Sequence, residues 1–218
     1  MLWPAFPLRY GVAAMRSFVA ALPLFFIVLS ACGSDDAGSP PSSSGGDAAA
    51  SCAPREAPQK PAAACDVTIE NVPIAGFKHV PQGTPLTFCT NPPTSGDHYP
   101  IWAAYREYDK PLEWGNLVHS MEHGAILLLY KCDDGRPCPE VLDAFRQVLA
   151  NTAEDPLCDP GTKRIIIAPA PTLDTKVAAA AWDAIYTAPC ADVPTLDAFV
   201  RDHYAKTHEN LCIPGQVF

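Results

Sequence analysis

The chain reads as an α+β domain, a small mixed sheet with about three packed helices and a long ordered loop, reinforced by disulfides. Three observations lead there. Short uninterrupted apolar runs at Ala125 to Tyr130 and Arg164 to Ala168 have the length of buried strands. Helix-spaced apolar residues lie between and after them, and eight cysteines follow a leader-like N-terminus.

In chain order, Val67, Ile69 and Val72 suggest a short strand, and Leu86-Thr87-Phe88 a second one bounded by Pro81, Gly83 and Pro85. From Asn91 to Leu117 proline, glycine and aromatic residues are dense, which predicts an ordered irregular loop, and loops of that length in compact domains are usually functional. Gly124 then leads into the Ala125 to Tyr130 strand. Pro139 opens a helix whose Val141, Leu142, Phe145, Val148 and Leu149 recur at helical spacing. Arg164 to Ala168, with three consecutive isoleucines, is a strand stopped by Pro169 and Pro171. The alanine-rich stretch Asp174 to Tyr186 is expected to be helical and anchored by Trp182. Thr195 is expected to cap a last helix carrying Leu196, Phe199, Val200 and Tyr204 on one face.

Upstream of this domain, assigned to 65–218, two segments stand apart. Phe18 to Leu29 is an uncharged apolar run of 12 residues preceded by Arg16. As a helix it would extend about 18 Å, short of a hydrocarbon layer of about 30 Å, so it reads as a signal h-region and 1–31 as a signal peptide. Met15 followed by Arg16 offers a compact start as an alternative to Met1. Leu29-Ser30-Ala31-Cys32 resembles a lipobox, which makes Cys32 the lipidated residue and the membrane a partner through that anchor. Gly33 rather than aspartate after it favours the outer membrane, with the domain facing the periplasm. Residues 32–64 are rich in Gly, Ser, Pro, Ala and Asp and cannot bury enough surface to offset ordering, so they are expected to be a flexible linker, with Cys52 able to staple its end to the domain.

Removal of the leader takes away Arg9 and Arg16 and moves the formal charge from −9 to −11, which argues against nucleic acid as a partner. With Cys32 lipidated, Cys52, Cys65, Cys89, Cys132, Cys138, Cys158, Cys190 and Cys212 remain, an even set suited to disulfides. C-x-x-C spacing is absent, which disfavours a zinc-thiolate site. Eight cysteines allow 105 connectivities. Only Cys132 with Cys138, flanking the turn-rich Asp133-Asp134-Gly135-Arg136-Pro137, can be paired locally.

Chemistry concentrates in histidines: His79, His98, and the pair in His119-Ser120-Met121-Glu122-His123-Gly124. Residues four apart on a helical turn rise about 6 Å and share a face, so His119 and His123 can reach one ion at about 2.0 to 2.1 Å if the segment is a helix ending at Gly124. His79, His98, His119 and His123 are therefore candidate ligands of a transition metal. Met121 is a further candidate, and if its thioether reaches the ion copper is favoured over zinc. Core packing is the competing role for Met121. Glu122 can be a ligand, a carboxylate orienting an imidazole from the second shell, or a base acting on water, and the orienting role is the preferred one. H-E-x-x-H, G-x-S-x-G, Walker and dinucleotide motifs are absent. His203 and His208 read as surface residues. Trp102, Trp114, Tyr99, Tyr105 and Tyr108 either line a pocket or pin the loop.

His79-Val80, Asn91-Pro92-Pro93-Thr94-Ser95-Gly96 followed by His98, Val118 to Gly124 with its following strand, and Ala181-Trp182 together resemble the bacterial family known as domain of unknown function 3105, over roughly residues 66 to 205. The resemblance implies an anchored or exported protein and supplies no settled activity. The wealth of cysteines marks a disulfide-reinforced variant. Three functions follow as expectations: metal capture, buffering or delivery with a donor or acceptor protein as partner; metal-dependent hydrolysis with Glu122 as base; and a metal-free structural module of the envelope.

Overall fold

The structure, a computed structural model, describes residues 52–133 and 137–216. The segments expected to be a signal peptide, a lipidated Cys32 and the linker up to Ser51 lie outside the described residues. Among the described residues no helix is long and apolar enough to cross a membrane.

Five strands and three helices follow in the order β1 (Thr68–Asn71), α1 (Trp114–Glu122), β2 (Ile126–Tyr130), α2 (Pro139–Asn151), β3 (Ile165–Pro169), β4 (Val177–Ala181), β5 (Ala184–Ala188) and α3 (Val193–His203). They build one mixed sheet ordered β1-β5-β4-β2-β3, in which β2 and β3 are parallel through the α2 crossover and the other neighbours are antiparallel.

The sheet is covered on both faces, which is why its strands read as continuous apolar runs rather than alternating ones. Side chains alternate across a strand, so Ile126 and Leu128 join Phe145 of α2 and Phe199 of α3 in one apolar layer. Leu127 and Leu129 meet Leu117, Val118 and Met121 of α1 in the other.

Three expectations are corrected. Asp174 to Tyr186 is not a helix but belongs to the β4–β5 hairpin, turned at Trp182-Asp183. Every residue of β4 is buried, so a helix there would have needed an apolar environment all round. In the hairpin, small residues face large ones, Ala179 opposite Tyr186 and Ala180 opposite Ile185, and alanine lets a central strand sit between two packed layers. Leu86-Thr87-Phe88 forms no strand, because its apolar residues pack on α1 and the loop instead: Leu86 lies against Gly115 and Phe88 against the α1-side layer. The cap of α3 is Asp192, not Thr195. Asp192 Oδ1 accepts from the Thr195 N–H (3.0 Å) and hydroxyl (2.8 Å), while Oδ2 accepts from Ala64 N–H (2.9 Å).

The eight cysteines pair as Cys52–Cys89, Cys65–Cys190, Cys132–Cys138 and Cys158–Cys212. Residues 52–64, compositionally part of the tether, lie along the edge of β1, where Gln59 and Ile69 exchange backbone hydrogen bonds of 2.7 and 3.0 Å. The other sheet edge is closed by the long loop, whose Tyr108 N–H donates to Ile167 O (2.8 Å) and whose Arg106 O accepts from Ile167 N–H (3.1 Å).

Candidate metal centre

Helix α1 carries an apolar side toward the sheet and a buried polar side of Asn116, His119, Ser120, Glu122 and His123. Buried polar groups need partners, and the long loop supplies them from its backbone. Asn116 Nδ2 donates to Ile101 O (2.7 Å), Ala103 N–H donates to Ser120 Oγ (3.1 Å), and His119 Nδ1 meets Tyr99 O (2.6 Å). The helix can sit this close because residue 115 is glycine; a Cβ there would lie 2.5 Å from the Tyr99 ring. It ends at Gly124, whose φ of +88° turns the chain into β2.

Two loop segments complete the site. Residues 78–80 pair with 97–99 as a short parallel bridge, with Val80 N–H donating to His98 O (2.8 Å) and His98 N–H to Lys78 O (3.0 Å). The bridge brings the rings of His79, His98 and His119 into a near-equilateral triangle, with centroids 4.7, 4.6 and 5.0 Å apart. Three imidazoles bound tetrahedrally to one ion would place their centroids about 5.2 Å apart, from a metal–nitrogen distance of about 2.0 to 2.1 Å. His79, His98, His119 and Glu122 each offer one ligand atom, and the four atoms all lie within 4.8 Å of one another.

The hydrogen bonds at the outer ring nitrogens fix what the inner ones can do. His98 Nδ1 lies 2.8 Å from Gly96 O and His119 Nδ1 2.6 Å from Tyr99 O. A carbonyl oxygen only accepts, so both Nδ1 atoms carry the proton, and in the neutral rings both Nε2 atoms present lone pairs. His98 Nε2 then faces Glu122 Oε2 at 2.9 Å, and His79 Nε2 lies 3.5 Å from the same oxygen. Glu122 is 2% exposed and His98 fully buried. A lone pair against a buried carboxylate is repulsive unless a proton or a cation lies between them.

Burial and the neighbouring imidazoles push His119 down to about 4, against the opposing bond to Tyr99 O, so at neutral pH it is an uncharged donor. Burial alone would raise the Glu122 carboxyl; the His98 hydrogen bond and the fields of His98, His119 and His208 outweigh it, and Glu122 stays anionic. Burial lowers His123 despite the carboxylates of Glu209 and Glu122.

The remaining sequence candidates fall elsewhere. His123 lies outside the four-atom group, its ring beside those of His119 (4.7 Å) and Trp102 (4.7 Å), with Nε2 3.4 Å from Glu209 Oε2. Met121 is fully buried in the apolar layer toward the sheet, beside Leu117, Val118 and the β2 leucines. Of the loop aromatics, Trp102 walls the site, whereas Tyr99 and Tyr108 pin the loop through hydroxyl bonds to Thr84 O (3.0 Å) and Ala104 O (2.9 Å).

His208 is not the plain surface residue expected. Its side chain is 43% exposed, but Nε2 lies 3.3 Å from Glu122 Oε1. His203 is largely covered as well, with Nδ1 3.2 Å from Asp183 Oδ1. Nothing in spacing links His208 to Glu122, 86 positions earlier. The link is tertiary. Ala205 N–H donates to Gly124 O (3.1 Å) and Thr207 Oγ1 to Glu122 O (2.7 Å). The buried Arg164 donates to His123 O (2.8 Å) and Asn210 Oδ1 (2.7 Å) while paired with Asp155 at 2.7 Å.

Fold and site together define a disulfide-reinforced α+β domain with a histidine–carboxylate group, buried except at His79, that could hold a metal ion. The chain belongs to the family described as protein of unknown function (DUF3105), whose model matches residues 79–212 and so spans every group just described. No curated protein and no solved structure matches the chain.

Proposed function

We propose that this is an exported, lipid-anchored protein that binds a divalent transition-metal ion through His79, His98, His119 and Glu122, for capture, buffering or delivery in the cell envelope. One observation carries the reading: ligand atoms of three imidazoles and a buried carboxylate converge within 4.8 Å of one another, and the Nδ1 atoms of His98 and His119 are committed to carbonyls. A cation at the centre of this group satisfies every member. Glu122 acts as the fourth ligand rather than only as an orienting group. The donor set is three nitrogens and one oxygen, which suits Zn2+ or Cu2+; with Met121 turned to the core, a Cu(I) preference has no thioether to rest on.

Hydrolysis is less well supported, since both Glu122 oxygens already face imidazole nitrogens. His79, with a 48% exposed side chain, gives the ion a route in and out by ligand exchange with a donor or acceptor protein. The h-region and the Cys32 lipobox support export and anchoring, and Gly33 supports the outer membrane.

Elemental analysis of the purified protein after dialysis against zinc or copper tests the site. At least one ion per chain is expected, and none at this position in a His79→Ala/His119→Ala variant; unchanged stoichiometry in that variant rejects the ligand assignment. Loss of acyl labelling on Cys32→Ser tests the anchor separately.

A further inference from the structure

We propose that Glu122 bridges two divalent cations, and that His208 and Glu209 complete the second, outer position; this rests on the inner site just proposed. The carboxylate of Glu122 is used from both sides. Oε2 faces His98 (2.9 Å) and His79 (3.5 Å), whereas Oε1 faces His208 Nε2 (3.3 Å). Glu122, His208 and Glu209 each present one ligand atom within 4.8 Å of the others, a second converging group that shares only Glu122 with the first.

His123 borders the outer position through Glu209 without being one of the converging groups. Its Nε2 lies 3.4 Å from Glu209 Oε2, and the residue is only 4% exposed. Its Nδ1 is buried without a hydrogen-bond partner.

The outer residues are held in place rather than free on the surface. The chain that carries them is tied by Thr207 to Glu122 O, by Asn210 to Arg164, and by the Cys158–Cys212 disulfide. One imidazole and two carboxylates without sulfur suit a borderline or hard first-row divalent ion such as Zn2+ or Mn2+. Ions sharing one carboxylate stand about 3.5 to 4 Å apart and repel each other. With His208 and Glu209 each 43% exposed, the outer position is the weaker and more exchangeable one.

Zinc titration of the purified protein, with bound metal counted by mass spectrometry and ions located by anomalous diffraction at the zinc edge, tests the proposal. Two ions per chain in a tight and a weak phase are expected. His208→Ala/Glu209→Gln should lose the weak phase and keep the tight one, and its unfolding midpoint checks that it folds. Saturation of the wild type at one ion overturns the outer position and leaves the inner reading standing. Saturation at none overturns both. Two ions retained in the variant, or both lost together, also overturns the outer assignment.

Discussion

Replacing Glu122 by glutamine separates the demands of folding from those of ion binding. Glu122 Oε2 and His98 Nε2 stand 2.9 Å apart, so the desolvation that a buried carboxylate costs is offset by its charge-assisted bond to His98. The carboxamide removes both terms, and its NH2 can donate to the His98 lone pair. Stability of the metal-free protein should therefore change by no more than about 1 kcal/mol. Binding should respond differently, because losing an anionic ligand weakens zinc by about 100-fold. At zinc 100 times the wild-type Kd, linkage stabilises the wild type by about 2.7 kcal/mol and the variant by about 0.4 kcal/mol. For a domain of this size each kcal/mol moves Tm by about 2 to 4 °C, so zinc should raise the wild-type Tm by about 5 to 11 °C and the variant by about 1 to 2 °C. Thermal melts with and without zinc read both quantities. Equal zinc-induced shifts would refute the ligand role. A metal-free variant destabilised by more than about 3 kcal/mol would show the carboxylate to be a structural hydrogen-bond centre instead.

The scaffold makes further predictions. Arg164→Met leaves Asp155 buried and unpaired and should cost about 3 to 5 kcal/mol in urea unfolding, much of it recovered in Arg164→Met/Asp155→Leu. Burial would raise the Asp155 carboxyl, but bonds from Leu157 N–H, Arg164 and Tyr204 hold it below the usual range. Its contribution is thus complete above the unfolded value of about 3.9 and lost as pH falls through the lower folded value, so Asp155→Asn should flatten the acid side of the stability–pH curve. A Cβ on Gly124 would lie 2.9 Å from Ala205 Cα and Arg164 Nη1 at a φ of +88°, and Gly124→Ala should cost about 2 kcal/mol or more by denaturant titration. Opening Cys65–Cys190, which closes a loop with a separation of 125 residues, should cost up to about 5 kcal/mol, measured by unfolding of a double-serine variant.

Much of this protein was legible in the chain because the relevant signals are local. Ile126–Tyr130 and Ile165–Pro169 are apolar runs too short for helices, and Pro139 with its helix-spaced apolar residues announces α2. Gly124 after His119-Ser120-Met121-Glu122-His123 announces the end of a helical turn, but the pair expected to share an ion was His119 with His123, whereas the fold brings His119 together with Glu122. The β4–β5 hairpin was not legible, since an alanine run has helical propensity, and only burial between two layers makes small side chains in a strand the better choice.

The sequence by itself determined the inventory: an even set of cysteines suited to pairing, the acidic balance, the fold class, and the histidines that are the candidate ligands. Tertiary structure alone decided which of them meet. A parallel bridge between 78–80 and 97–99 sets His79 and His98 over α1, and the Arg164 hub with the Cys158–Cys212 disulfide brings His208 and Glu209 to the far oxygen of Glu122. Spacing along a chain constrains neighbours within one element, whereas contacts between elements depend on packing and buried hydrogen bonds that only the folded chain makes.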